Sequence, residues 1–309
     1  MTELVAFHAE GYAADIGAHV MPMKKFSLVR RAIEAAGLPY VFAAPAPVTD
    51  DDLLRVHTPA YVRAIATGEP RALAESQKFP WSPELAAAVR LTNGGCVAAL
   101  EAALDRGVAA NLGSGFHHAH ADHGEGFCTF NGLAVALARA LAAGRVRRAL
   151  VVDLDVHYGN GTASIFASRP ELANLSIYGS WYKANRASSD VTTERAADTE
   201  SCRSVAVPNG ASGEAYNAIV ARELGPAFER ARPDVVLYQA GADPYKEDPY
   251  SPLDVDVDAL HTRDRLVFEA ARARGVPIAW VLAGGYTKDI EKVVAVHVNT
   301  ARAAAAVFG

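Results

Sequence analysis

Residues 151–161, VVDLDVHYGNG, end an apolar run with three polar side chains that could bind a metal ion. Asp153, Asp155 and His157 occur at every second position, and the two-residue period of an extended chain places all three on one side. A carboxylate and an imidazole are suitable ligands for a divalent cation such as Zn²⁺. Asp155 and His157 are therefore predicted to be metal ligands.

Asp243 follows another apolar run, residues 234–240, and would complete a set of three ligands. Three protein ligands with one open position are typical of a catalytic metal site. Two carboxylates would also balance the charge of a divalent ion. Because such an ion lowers the pKa of a bound water to about 7, the predicted chemistry is attack by an activated water.

His117 and His118 are adjacent in the chain and follow the apolar run 108–112. Neighbouring residues cannot easily chelate one ion, but both can face a water bound to it. One of them would act as general base and then as general acid towards a leaving amine. Asp153 is predicted to orient His117 and to fix its tautomer, and Asn160 is the candidate partner of His118.

Tyr286 follows the apolar run 277–283 and carries a phenol that could donate to a substrate carbonyl oxygen as it becomes an oxyanion. Gly285 beside it would let the backbone approach the substrate closely. The spacing of His120 and His123 suggests no role. The remaining histidines are predicted to be structural or on the surface: His8, His19, His57, His261 and His297.

The polar segments follow apolar runs that alternate with longer helical patterns, which predicts a parallel sheet with helices on both faces. The predicted strands are 4–8, 39–43, 108–112, 148–154, 174–178, 204–207, 234–240 and 277–283. Several are continuously apolar, as strands covered on both faces are. Ligands of such sheets bind beyond the carboxyl ends of the strands, so the polar segments are expected to meet there.

The predicted helices are 24–36, 58–67, 84–106, 131–143, 213–231, 256–274 and 288–307. Residues 68–83 and 179–203 match neither pattern. Long loops in compact domains are often lids or rims of a site, and a surface excursion is an equally good interpretation of each.

Composition excludes several classes of protein. The 309 residues carry a formal charge of −5 and no basic block, so direct binding of nucleic acid is not expected. No apolar run is long enough for a membrane helix, and the first residues do not form a signal peptide pattern. Three dispersed cysteines, among them Cys128, predict reduced thiols in a cytoplasmic protein. The oligomeric state is not encoded in any recognisable pattern.

These segments resemble the zinc-dependent histone deacetylase superfamily, and they look closest to its class IV branch and bacterial relatives. The matching segments are NLGSGFHHAHADHGEGFCTFN, VVDLDVHYGNGT, YQAGADPYKEDPYSPL and LAGGY, in the order of the family. The resemblance implies a three-layer α/β/α fold of the arginase/deacetylase type around an eight-stranded parallel sheet. It also implies one catalytic domain over residues 1–309.

The resemblance implies a single Zn²⁺ held by Asp155, His157 and Asp243. It makes His118 the main general base and acid, with His117 assisting, while Tyr286 polarises the acyl carbonyl. Family members also bind a monovalent cation, K⁺, near the backbone carbonyls of the aspartate-rich strand end. Ser176 and Ile177 fall where that structural K⁺ site would be completed.

For the substrate, the resemblance implies that the Gly126 carbonyl accepts from the substrate amide and that Phe127 lines a narrow tunnel. The second tunnel aromatic usually precedes a Pro-Gly pair, which this chain lacks, so Trp181 and Tyr182 are both candidates. Class I members have Asp at the position of Asn160. Its replacement removes a negative charge near His118, and a lower imidazole pKa is expected.

The implied function is removal of an acetyl or longer acyl group from acylated lysine. Acetylpolyamines and other small acyl-amines fit the same chemistry, so an amidohydrolase for them is the alternative. A non-catalytic protein that binds acyl-amines would be expected to lack a metal ligand or Tyr286. An arginase-like enzyme with two Mn²⁺ ions needs further carboxylates, and Gly159 stands where one would be required.

Overall fold

The centre of the fold is an eight-stranded sheet in which every paired strand is parallel to its neighbour. The computed structural model describes residues 3–180, 199 and 201–309. The strands are β1 (Leu4–Phe7), β2 (Tyr40–Ala43), β3 (Val108–Ser114), β4 (Ala149–Asp153), β5 (Leu172–Gly179), β6 (Cys202–Val207), β7 (Val235–Ala240) and β8 (Ile278–Leu282). The predicted α/β fold with an eight-stranded parallel sheet is confirmed.

Helices connect and flank the strands. They are α1 (Lys25–Ala35), α2 (Asp50–Leu54), α3 (Pro59–Thr67), α4 (Arg71–Ala74), α5 (Pro83–Arg106), α6 (Gly132–Ala142), α7 (Asn160–Phe166), α8 (Gly213–Ala231), α9 (Val257–Ala273) and α10 (Ile290–Phe308). Each long helix was predicted from the sequence. The short helices α2, α4 and α7 were not, because four to seven residues are too few to display a helical period.

The strand order, β2-β1-β3-β8-β7-β4-β5-β6, places β3, β8, β7 and β4 side by side at the centre. Every residue of these four strands is buried. They are also the strands that precede the four polar segments singled out from the sequence. Since all strands are parallel, the four segments leave the sheet at one edge, which is where α/β proteins bind ligands.

Arg263, on α9, supports this edge from behind and is completely buried. Its Nη1 donates to the carbonyl oxygens of Gly241, at 2.6 Å, and of Leu154, at 3.3 Å, just after β7 and β4. Its Nε donates to Asp264 Oδ1 at 2.9 Å, and Asp264 also accepts from the Tyr238 hydroxyl. One buried ion pair therefore fixes two of the chain segments that leave the central strands.

Among the described residues, no helix combines the length and the apolar character needed to cross a membrane.

Replacing Arg263 with alanine is expected to destabilise the protein by about 3–5 kcal/mol, because it leaves the buried Asp264 without its cation. Arg265→Ala is the matched control on the same helix, where an exposed arginine pairs with Glu269 four residues later. That change should cost no more than about 0.5 kcal/mol. Urea denaturation of both variants measures the difference, and equal losses would contradict the role assigned to the buried pair.

Candidate active site

The three predicted metal ligands converge at the carboxyl edge of β4 and β7. Asp155, His157 and Asp243 each offer a ligand atom, and these atoms lie within 4.8 Å of one another. His157 Nδ1 is 2.9 Å from Asp155 Oδ1 and 3.1 Å from Asp243 Oδ2. All three side chains are buried. Two carboxylates and one imidazole on rigid strand ends are a donor set that fits Zn²⁺.

Backbone N–H groups hold the two carboxylates in place. Val156 N donates to Asp243 Oδ1 at 2.9 Å, and Gly284 N donates to Asp155 Oδ2 at 2.8 Å. Gly284 must be glycine, because a Cβ there would lie 1.8 Å from Asp243 Oδ2 and 2.8 Å from Asp155 Oδ2. Its role was missed in the sequence, although the GG pair before Tyr286 was the available signal.

The electrostatics of this cluster favour a cation. Burial, together with the Asp155 charge, raises the pKa of Asp243 to about 7. Burial opposes protonation of His157, but Asp155 and Asp243 outweigh it and raise the pKa of that imidazole to about 10. The ion-pair partner of both carboxylates among the described residues is the His157 imidazole. A proton on His157 offsets part of their negative charge, and a divalent ion bound by the three side chains would take over that role.

The two adjacent histidines lie beside this cluster and have the partners that the sequence predicted. His117 Nδ1 is 2.7 Å from Asp153 Oδ2, and His118 Nδ1 is 2.6 Å from Asn160 Oδ1. The rings of His117 and His118 are 4.0 Å apart, and His118 is 5.7 Å from the His157 ring. With Nδ1 occupied, Nε2 of each histidine is left to exchange protons.

The environment separates the pKa values of the two histidines. Burial opposes the charged form of His117, but Asp153 and Asp155 outweigh it and raise the pKa. Burial and the neighbouring His117 and His157 hold the pKa of His118 well below its ordinary value. His118 is thus neutral at neutral pH and can accept a proton. Titratable pairs with separated pKa values are typical of acid–base sites.

A buried carboxylate behind Asn160 was missed. Asn160 Nδ2 donates to Glu125 Oε2 at 2.8 Å, so the chain from His118 runs through an amide to a carboxylate. The sequence interpretation that Asn160 removes a negative charge near His118 is therefore incomplete, because Glu125 restores one a residue further away. Glu125 and Asn160 are 35 positions apart in the sequence and meet only in the folded chain, so their spacing could not predict the contact.

Tyr286 lies across the cluster from the histidines, with its ring 6.4 Å from that of His157. Asp248, another residue missed in the sequence, accepts from Tyr286 N at 2.6 Å and fixes the backbone there. Burial and the nearby Asp155 raise the pKa of the phenol far above its ordinary value, so the hydroxyl stays protonated and can donate. Tyr250 packs edge-on against the Tyr286 ring at 5.0 Å.

Phe127 forms one wall of the approach, 6.3 Å from the Tyr286 ring. It stacks on Phe79 at 5.6 Å, and its N–H donates to the Gln77 carbonyl. Residues 68–83, which could not be assigned from the sequence, thus support the wall. His19, predicted to be structural or on the surface, packs edge-on against Phe127 at 4.7 Å.

Gly126 precedes Phe127, is buried, and has a positive φ of 51°. Trp181 and Tyr182, the candidates for the second tunnel aromatic, lie outside the described residues.

Lys25 was not singled out in the sequence, yet it is completely buried behind Tyr286. Its Nζ donates to the Ala283 carbonyl at 2.6 Å and lies 5.8 Å from the centre of the Tyr286 ring. Burial lowers its pKa to about 8, against the opposing pull of Asp243 and Asp155. Lys25 therefore places a cationic group near the Asp155 and Asp243 carboxylates without forming an ion pair with them.

A cavity of about 20 Å³ joins these groups, and its lining includes His117, His118, Asp155, Phe127 and Tyr286. This volume is enough for about one water molecule. The proton-accepting histidine, a candidate ligand and the phenol donor therefore border one small space. That arrangement can support attack by water on a polarised carbonyl.

This fold and site define a class of α/β proteins with a candidate metal centre at the carboxyl edge of the sheet. Similarity to known proteins identifies the family. The sequence profile described as "Histone deacetylase domain" matches residues 19–301. The chain belongs to this histone deacetylase family, which includes histone deacetylase-like amidohydrolases.

Three relatives and one solved structure illustrate the similarity. An uncharacterized protein of Picosynechococcus is 32% identical, over 98% of this chain and 99% of its own. A probable deacetylase of Methanothermobacter thermautotrophicus is 30% identical, over 93% and 86%. A histone deacetylase-like amidohydrolase of Pseudomonas aeruginosa is 31% identical, over 78% and 65%. The crystal structure of the HDA15 HD domain shares the fold, with a TM-score of 0.81 and 23% identity, over 98% and 88%.

A carboxylate at position 160 is expected to raise the pKa of His118 by about 1–3 pH units, because it favours the imidazolium. In Asn160→Asp alone, the new group would face the Glu125 carboxylate, and the two would share a proton. The informative variant is therefore Asn160→Asp combined with Glu125→Gln, which supplies an amide donor to the new carboxylate.

NMR titration of the ring protons measures this pKa. The neutral form is present above it and is lost as the pH falls through it, so the transition should move to higher pH. Glu125→Gln alone is the control and should not move it upwards. An unchanged titration in the double variant would contradict the electrostatic role given to position 160.

Proposed function

We propose that this chain is a Zn²⁺-dependent deacylase that removes an acetyl or longer acyl group from the amine of acylated lysine. One observation carries the proposal: a buried Asp-His-Asp donor set borders a histidine held neutral at neutral pH. Asp155, His157 and Asp243 would hold one zinc ion per chain. When bound, the ion would act as a Lewis acid and acidify water.

The residues of the chain would move the protons. His118 Nε2 accepts a proton from the attacking water, while Asn160 holds the proton on Nδ1. The Tyr286 hydroxyl donates a hydrogen bond to the acyl oxygen as negative charge develops there. His117, whose pKa is raised beside Asp153, borders the same space and would assist His118. His118 then delivers its proton to the nitrogen of the leaving amine, which gives a carboxylic acid and a free amine.

Substrate binding would use the tunnel side of the site. The Gly126 carbonyl would accept from the substrate amide, Phe127 would contact the aliphatic chain, and Gly285 would allow close approach beside Tyr286. A structural K⁺ would lie near Ser176, which is buried and in register with Asp153 on the neighbouring strand. We propose that residues 1–309 act as one catalytic domain. The class IV placement and a cytoplasmic location stay predictions.

A panel of acyl-lysine peptides with increasing acyl length, together with acetylpolyamines, tests the substrate class. We expect zinc-loaded protein to remove the acyl group from at least one of the peptides, which gives a carboxylic acid and a peptide with a free lysine side-chain amine, measured as primary amine formed. Turnover of acetylpolyamines alone would support the alternative amidohydrolase. If protein with one zinc per chain hydrolyses none of these compounds, the proposal is contradicted.

Two alanine variants separate metal binding from proton transfer. Asp243→Ala removes one of three ligands and is expected to lose both zinc and activity. His118→Ala should retain one zinc per chain but lose about 10²–10⁴-fold in kcat, the usual contribution of a general acid–base group. Metal content by mass spectrometry and kcat are measured on the same samples. Stoichiometric zinc in Asp243→Ala, or near-normal turnover by His118→Ala, would refute the corresponding assignment.

A further inference from the structure

A second cluster of metal-binding residue types lies on the loop that follows the catalytic histidine pair. His120, His123 and Glu125 each offer a ligand atom, and these atoms lie within 4.8 Å of one another. None of the three belongs to the Asp155–His157–Asp243 set. His120 Nε2 is already 3.0 Å from Glu125 Oε2. Two imidazoles and one carboxylate are a donor set that divalent transition metals bind.

The loop that carries these side chains is held by its own backbone. His120 N donates to the His123 carbonyl at 3.0 Å, which holds the two histidines close together. Glu125 and Cys128 exchange backbone hydrogen bonds, at 3.2 and 2.8 Å. Gly124 N donates to Ser76 Oγ at 2.9 Å. The donor atoms are therefore brought together by a defined loop conformation.

The outer nitrogen of each histidine has a partner of the kind found behind metal ligands. His123 Nδ1 is 2.7 Å from Asp122 Oδ1, and His120 Nδ1 is 2.8 Å from Ser164 Oγ. A metal-ligating histidine usually donates its other N–H to a carboxylate or another acceptor, which fixes the tautomer. With the proton on Nδ1, the lone pair of both rings is on Nε2.

The cluster is accessible from solvent. The His123 side chain is 43% exposed, whereas that of His120 is 18% exposed. The two rings are stacked at 4.5 Å with an angle of 8° between their planes. Tetrahedral zinc needs ligand atoms about 3.3 Å apart, and the ligand atoms here lie within 4.8 Å of one another. Small side-chain rotations close the difference, and the exposed Asp122 can move together with the His123 ring that it contacts.

We propose that His120, His123 and Glu125 form a second, solvent-accessible site for a divalent transition-metal ion such as Zn²⁺, and that its occupancy slows turnover. The link is Asn160, whose Nδ2 donates to Glu125 Oε2 at 2.8 Å and lies 3.2 Å from His120 Nε2. Glu125 Oε2 and His120 Nε2 are also the atoms that would bind the metal ion. Asn160 Oδ1 in turn positions His118.

An ion in this site would deprive the Asn160 amide of its acceptors. The amide would then no longer be fixed, and neither would the orientation of the catalytic imidazole that it holds. Binding of the ion depends only on the loop, whereas the effect on turnover also rests on the proposed function. The two parts can therefore be tested separately.

The experiment starts from protein that carries one zinc per chain and raises free Zn²⁺ through the micromolar range. Bound zinc is measured by equilibrium dialysis with mass spectrometry. We expect wild type to bind a second ion, and His123→Ala to bind it at least about tenfold more weakly. His261→Ala removes a histidine from another part of the surface and should bind like wild type. The site is overturned if His123→Ala binds the second ion with the affinity of wild type. It is also overturned if wild type binds no second ion.

Turnover is followed in the same titration with the best substrate. Wild type and His261→Ala should lose activity as the second ion binds, and His123→Ala should need at least about tenfold more zinc for the same loss. Full occupancy with unchanged kcat would overturn the link through Asn160 while leaving the site intact. If no substrate is turned over, the proposed function fails, and the dialysis still decides whether the second site exists.

Discussion

Burial of the Asp155 and Asp243 carboxylates side by side is the constraint on which the rest of the structure depends. Two negative charges removed from water are costly unless hydrogen bonds and positive charge surround them. Backbone N–H groups of two separate segments bind them, the His157 imidazole lies between them, and Gly284 leaves room for their oxygens. The four central strands must end in register for this to happen, which explains why the buried Arg263 fixes the segments behind them.

The sequence predicted the sheet and the main site because both depend on local patterns. Most of the eight strands are short, largely apolar runs, and central strands that are covered on both faces have no polar alternation to obscure them. Asp155, His157 and Asp243 follow such runs directly, so the rule that strand ends meet at one edge was enough to bring them together. The pairing of His117 with Asp153 followed from the same geometry.

The supporting residues could not be predicted, because their positions come from tertiary contacts between distant segments. Glu125 reaches Asn160, Lys25 lies behind Tyr286 from the other end of the chain, and Asp248 holds the Tyr286 backbone. None has a spacing that suggests the contact. The helices α2, α4 and α7 were missed for a different reason, since each is shorter than two turns.

The strand order also has a consequence for how the protein is made. Strands β7 and β8 come last in the chain but lie between β3 and β4, so the sheet consists of two unconnected halves until residues 235–309 are added. During synthesis the N-terminal parts emerge first. Asp155 and His157 therefore emerge 86 and more residues before Asp243, and a nascent chain that ends before residue 243 cannot assemble the three-ligand set. Capture of a metal ion by all three ligands becomes possible only when β7 has paired with β4.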